Sequence, residues 1–157
     1  MMTFREFLHK KAEEQRQPER RQRRAEWVAA VERLNGQLRT WLAESDPERL
    51  LDVHPFEVEK YDPDLGAYTV ESLRIGMGDE AVEVVPVGRN VVGTIRLPGD
   101  VSLRADGRVD ITDGVRKHIL YRSVRDGQEQ WYAVDEEFKA APLDRGRLEA
   151  ILLDLLS

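Results

Sequence analysis

The apolar period of this chain changes once, near residue 55, and that change limits what it can fold into. Before it, Trp27, Val31, Leu34, Leu38 and Trp41 recur at intervals of four, three, four and three. That is the seam of a helix covering another surface with one face. After it, apolar residues alternate with polar ones in "FEVEKY" from Phe56, then in "AYTVESLRI", "AVEVVPV" and "VVGTIRL", with Gly and Pro between the runs. Alternation of this kind marks half-buried strands. Helices first and an unbroken series of strands afterwards predict an α+β chain with an antiparallel sheet.

The helical part divides at Pro18. Thr3 and Glu6 stand at capping-box spacing, and Phe4, Phe7, Leu8 and Ala12 fall on one face, so a first helix is expected over 4–16. The seam predicts a second helix over 19–44. Its phase runs through Asn35-Gly36, although glycine costs a helix interior about 1 kcal/mol. Ser45-Asp46-Pro47 ends it and could cap a short helix at 48–51. Residues 1–54 are expected to form a helical arm with a basic tip, and residues 55–157 a sheet of six to eight strands, a meander over about 56–135, closed by a terminal helix. Asp144 caps that helix, and Leu148, Ile151, Leu152, Leu155 and Leu156 form its docking stripe. Asp-Gly at 106–107, 113–114 and 126–127 marks three hairpin turns. In the first, a three-residue loop pairs Leu103 with Val109 and Val101 with Ile111, and sets Arg104 against Arg108. Asp106, Asp110, an anion or an acidic partner would neutralise that pair. Tyr121, Trp131 and Tyr132 are expected to pack across adjacent strands.

Charge separates the same two parts. The chain carries a net charge of -6, yet residues 1–25 hold eight Lys/Arg against four Asp/Glu, with Arg20, Arg21, Arg23 and Arg24 crowded just before the seam. Three readings of the crowding are open. It is a solvated arm of an arginine-rich chain. It is part of an assembly helix, in which Trp27, Val31, Leu34, Leu38 and Trp41 form the interface and the arginines meet acids such as Glu44, Asp46 and Glu48 of an antiparallel copy. Or it tracks phosphates of a nucleic acid, against the repulsion of the acidic body and without interleaved aromatics for stacking.

Catalytic chemistry finds little footing. With no cysteine, disulfides, thiolate metal sites and thiol catalysis are excluded, and a reducing cytoplasm suits the composition. Asp106, Asp110 and Asp113 lack EF-hand spacing. His9, His54 and His118 lack ligand spacing, and no Walker, Rossmann or nucleophile-elbow pattern occurs. Glu137-Phe138-Lys139 after "WYAV" matches the Glu-x-Lys element of metal-dependent nucleases, with Asp106 or Asp110 as the upstream carboxylate. That leaves it a remote alternative. No secretory signal and no membrane span are expected. The expectation is therefore a non-catalytic adaptor or assembly module without cofactor or metal. It works through a protein partner or a second copy, with nucleic-acid binding as the alternative.

Overall fold

A computed structural model describes residues 1–157. The two expected helices form as α1 (Phe4–Gln15) and α2 (Pro18–Ser45), divided where Pro18 takes the first helical position, the one place where its missing N–H costs nothing. The short helix at 48–51 does not form. Asp46 instead turns its carboxylate onto the Leu50 and Leu51 N–H groups at 2.9 and 2.8 Å, and Arg49 adopts a positive φ of 55°. The chain thus enters the sheet directly.

Nine strands follow: β1 (Asp52–Asp62), β2 (Gly66–Met77), β3 (Glu80–Gly88), β4 (Thr94–Leu97), β5 (Val101–Arg104), β6 (Arg108–Thr112), β7 (Lys117–Arg125), β8 (Gln128–Val134) and β9 (Ala140–Pro142). Seven make one antiparallel sheet in the order β1-β2-β3-β6-β7-β8-β9, and β4 and β5 form a separate ribbon. The β7–β8 turn is the two-residue Asp126-Gly127 with φ of 52° and 75° at its centre, a hairpin geometry for which Asp-Gly is suited. The helix α3 (Arg145–Leu156) closes the chain, its Asp144 cap accepting the Arg147 N–H at 2.8 Å.

The 101–112 hairpin is corrected by this topology. β5 pairs with β4, Leu103 opposite Ile95, whereas β6 lies between β3 and β7, Val109 opposite Pro86 and Leu120. Residues 105–107 are therefore a crossing between two sheets. Gly107 is there because it lies against Trp27, where a Cβ would overlap the indole.

Each face of the sheet has its own core. α2 and α3 cover one face, burying Trp27, Val31, Leu34, Leu38, Leu148, Ile151, Leu152 and Leu155 with Leu73, Ile75, Val84, Ile111 and Leu120 of the strands. Each such side chain contributes about 1.5–3 kcal/mol. Alternation sends Tyr121, Tyr132 and Val134 to the other face, where the β4–β5 ribbon closes a smaller cluster around Ile95, Ala105 and Ala140. Tyr121 and Tyr132 are directly opposed, while Trp131 leaves that ladder and packs on Trp27 at 6.3 Å between ring centroids.

An alternating line of charges fastens α2 to the sheet. Arg122, 3% exposed, donates to Glu26 and to Glu129 at 2.6 Å each. Arg33 shares that Glu129 carboxylate, donating to Oε2 at 3.0 Å and to Oε1 at 3.3 Å, and Arg89 reaches Glu26 at 3.4 Å and Asp64 at 3.8 Å. Arg23 closes on Asp64 at 3.2 Å. No helix is long and apolar enough to cross a membrane.

Candidate functional site

Most of the expected interaction residues are engaged inside the chain. The seam of Trp27, Val31, Leu34 and Leu38 is buried against the chain's own sheet and Trp41 is half-buried, so it presents no free face. The arginines next to it clasp the β1–β2 turn. Arg20, 6% exposed, donates from Nε to the Asp64 carbonyl and from Nη2 to the Pro63 carbonyl, both at 3.1 Å. Arg23 grips the Asp64 carboxylate, and Arg24 donates to the Leu65 carbonyl at 3.1 Å. Gly66 (φ +78°) leaves room for the Arg20 guanidinium, whose Nη2 would stand 3.3 Å from a Cβ there. Arg21 alone points outward, onto the Arg16 carbonyl at 2.8 Å. Two of the three acids expected to receive these arginines across a dimer have other roles, Glu44 pairing with Arg145 at 3.2 Å and Asp46 capping its turn, while Glu48 is exposed.

Arg104 and Arg108 are not neighbours across a hairpin. Arg108 forms a bidentate pair with Asp110 at 2.8 and 3.0 Å. Arg104 stands opposite Thr94 and lines a shallow hollow with Arg89 and Asn90. The nuclease constellation is likewise not assembled. Asp106 accepts the Val124 N–H, Asp110 holds Arg108, and Lys139 pairs with the exposed Glu137 at 3.2 Å. No three His, Asp or Glu side chains gather where a metal could be held.

What stands free is α1. Its capping box is complete: Thr3 Oγ1 accepts the Glu6 N–H and Glu6 Oε2 accepts the Thr3 N–H, both at 3.1 Å. The helix buries no residue. Phe4, Phe7 and Leu8 are 74%, 46% and 50% exposed, and the two phenyl rings stack at 6.3 Å. Spacing of i, i+3 and i+4 puts the three on one face, with Arg5, Glu6, His9, Lys10 and Glu13 lining a polar side.

No family model, curated protein or solved structure matches this chain.

A second feature lies at the far end of the sheet. Between α3 and the β7–β9 strands runs a hollow of about 650 Å³, floored by Ala133, Ala141 and Ala150 and flanked by the exposed Phe138. At its edge His118 Nε2 and Asp154 Oδ2 are 2.7 Å apart, with Arg116 Nη1 on the same carboxylate at 3.3 Å. The hydrogen bond with His118 is the main cause that holds the Asp154 carboxyl below its ordinary value. The pair ties α3 to β7. Lys117 and Arg147 on the same rim have no acidic partner within the chain.

The sequence pattern placed Phe4, Phe7 and Leu8 on one face but assigned association to α2. The signal separating the two is Pro18, which stops α1 before it can share the face that α2 buries. The hollow leaves no comparable trace, because its floor is made by small residues on three separate elements.

Proposed function

We propose that this protein is a non-catalytic interaction module, an adaptor or assembly element of the cytoplasm, and that α1 is the helix with which it engages another protein. One observation carries the reading: the apolar stripes of α2 and α3 are packed on the chain's own sheet, whereas Phe4, Phe7 and Leu8 remain in water on a helix that buries nothing. An apolar triplet of i, i+3 and i+4 anchors on a short helix is the form taken by helices that enter a partner's groove. Aromatic anchors of this kind carry most of the energy of such contacts. The capping box supports the same reading, since it holds the helix ready and lowers the entropic cost of docking. The arginines that would serve a nucleic acid are engaged with the β1–β2 turn, which weighs against that alternative.

The test is a photoreactive phenylalanine placed at Phe7 and irradiated in producing cells. A discrete light-dependent protein adduct is expected from that position and none from Glu13. No adduct from Phe7 would overturn the reading.

A further inference from the structure

We infer that the groove receiving α1 is the hollow between α3 and the β7–β9 strands of a second copy of this chain. The inference rests on the reading of α1 as the docking helix and adds the identity of its partner. Three observations carry it.

The first is position. α2 has 28 residues, about 42 Å, and α1 leaves its N-terminal end. β7 runs from the hollow at His118 to Arg122, which meets Glu26 in the N-terminal half of α2. At the other end of α2, Glu44 pairs with Arg145 at the start of α3. The hollow thus lies toward the end of α2 where α3 begins, whereas α1 leaves the other end, and no α1 residue lines the hollow of its own chain.

The second is complementarity. A hollow of about 650 Å³ with an alanine floor is of the size, about 300–1,000 Å³, that accommodates a few large apolar side chains. The Phe4–Phe7 stack and Leu8 are such a group, and Phe138 offers an edge for them to pack against. The charges without partners match as well. Lys117 and Arg147 lie on the rim, while Glu14, one helical step of seven beyond Phe7, flanks the apolar triplet on the side that meets a rim once the triplet is seated.

The third is closure. A single three-turn helix in a groove buries on the order of 800 Å², half of a standard interface. Two copies side by side and antiparallel place each α1 in the other's hollow. The area then doubles to on the order of 1,600 Å², and the pair is closed because each anchor and each hollow is used.

Sedimentation equilibrium on the full chain and its variants tests this. The wild type is expected to be a dimer at about 100 μM, far above a micromolar dissociation constant. Phe4→Ser/Phe7→Ser empties the anchors, and Ala150→Trp fills the hollow from an exposed position. Each should weaken the dimer roughly tenfold or more. Lys117→Glu/Arg147→Glu, on the exposed rim, should weaken it too, and partial restoration by Glu14→Lys would support the pairing. Mixing the anchor variant with the hollow variant should yield a one-to-one heterodimer, because one intact anchor and one intact hollow remain. A wild type that stays monomeric overturns the inference, and so does a dimer that survives Ala150→Trp and the rim reversal. An adduct from Phe7 to a different protein would also overturn it, while leaving α1 as the docking helix.

Discussion

Gly107 lies flat against the six-membered ring of Trp27, so close that no other residue could stand there without displacing the indole. The contact joins the crossing between the two sheets to the first residue of the apolar seam of α2. Gly107→Ala should therefore destabilise by about 1–3 kcal/mol, the cost of overpacking a rigid core. Chemical denaturation would show a lowered midpoint with an unchanged slope. Gly99→Ala, where an added Cβ meets nothing though the backbone is left-handed, should show only the backbone strain of its turn.

Arg122 is the buried centre of the charge line. Arg122→Ala should cost about 1–3 kcal/mol, because the half-buried Glu129 loses a charged donor while the more open Glu26 returns to water. The triple variant Arg122→Met/Glu26→Gln/Glu129→Gln should recover most of that loss. A double-mutant cycle between Arg122 and Glu129 should give a coupling well outside additivity.

The same line makes stability fall in acid. Burial by itself would raise the Glu26 and Glu129 carboxyls, but hydrogen bonds and charge from Arg122, with Arg89 at Glu26 and Arg33 at Glu129, outweigh it and hold both below their ordinary value of 4.5. A carboxyl with a lowered folded pKa stabilises fully above its unfolded value, and that contribution is lost as pH falls through the folded one. Unfolding midpoints should thus be level from neutrality to about pH 5 and decline below 4.5. The decline should be shallower in the triple variant.

α1 should be dispensable for folding. It buries nothing, so Phe4→Ser/Phe7→Ser should leave the unfolding free energy of the monomer within about 0.5 kcal/mol of wild type. In the undocked Phe4→Ser/Phe7→Ser chain, trypsin should cut first at Lys10, Lys11 or Arg16, all exposed, and spare Arg20, whose guanidinium is hidden on the β1–β2 turn. Mass spectrometry of the first fragment checks this. A core fragment beginning at Arg21 or Arg24 would contradict the clasp.

The layout was legible because periodicity is a local property. The switch from the seam to "FEVEKY", the Thr3 box, the Asp144 cap and the Asp126-Gly127 turn each lie within a few residues of what they determine. The 101–112 region misled for the same reason. Asp106-Gly107 has the composition of a hairpin turn, but the pairing of β6 with β3 spans the whole ribbon and outcompetes it. At the candidate site, the limit was the nature of the partners. A seam such as Trp27 to Leu38 is chemically the same whether its own sheet or another molecule covers it. Arginines 20 and 24 donate to backbone carbonyls at residues 63, 64 and 65, acceptors that every residue carries and no composition reveals. The hollow at α3 is defined by what is missing between elements far apart in sequence.

The charge line from Arg23 through Asp64, Arg89, Glu26, Arg122 and Glu129 to Arg33 has a consequence for how the chain finds its alignment. Greasy stripes are forgiving: α2 could slide along the sheet by one turn, about 5.4 Å, and still lay apolar residues on apolar residues. The line is not forgiving. After a slide of four residues one way, Ala30 would occupy the place of Glu26, and after a slide the other way Gln22 would. In either case Arg122 would lose one of its two carboxylates deep in the interface, and Asp64 would face Trp27 or Glu19 in place of Arg23. The alternation of sign thus works as a key cut to a single lock position. It adds less to depth of stability than to the penalty for every neighbouring alignment.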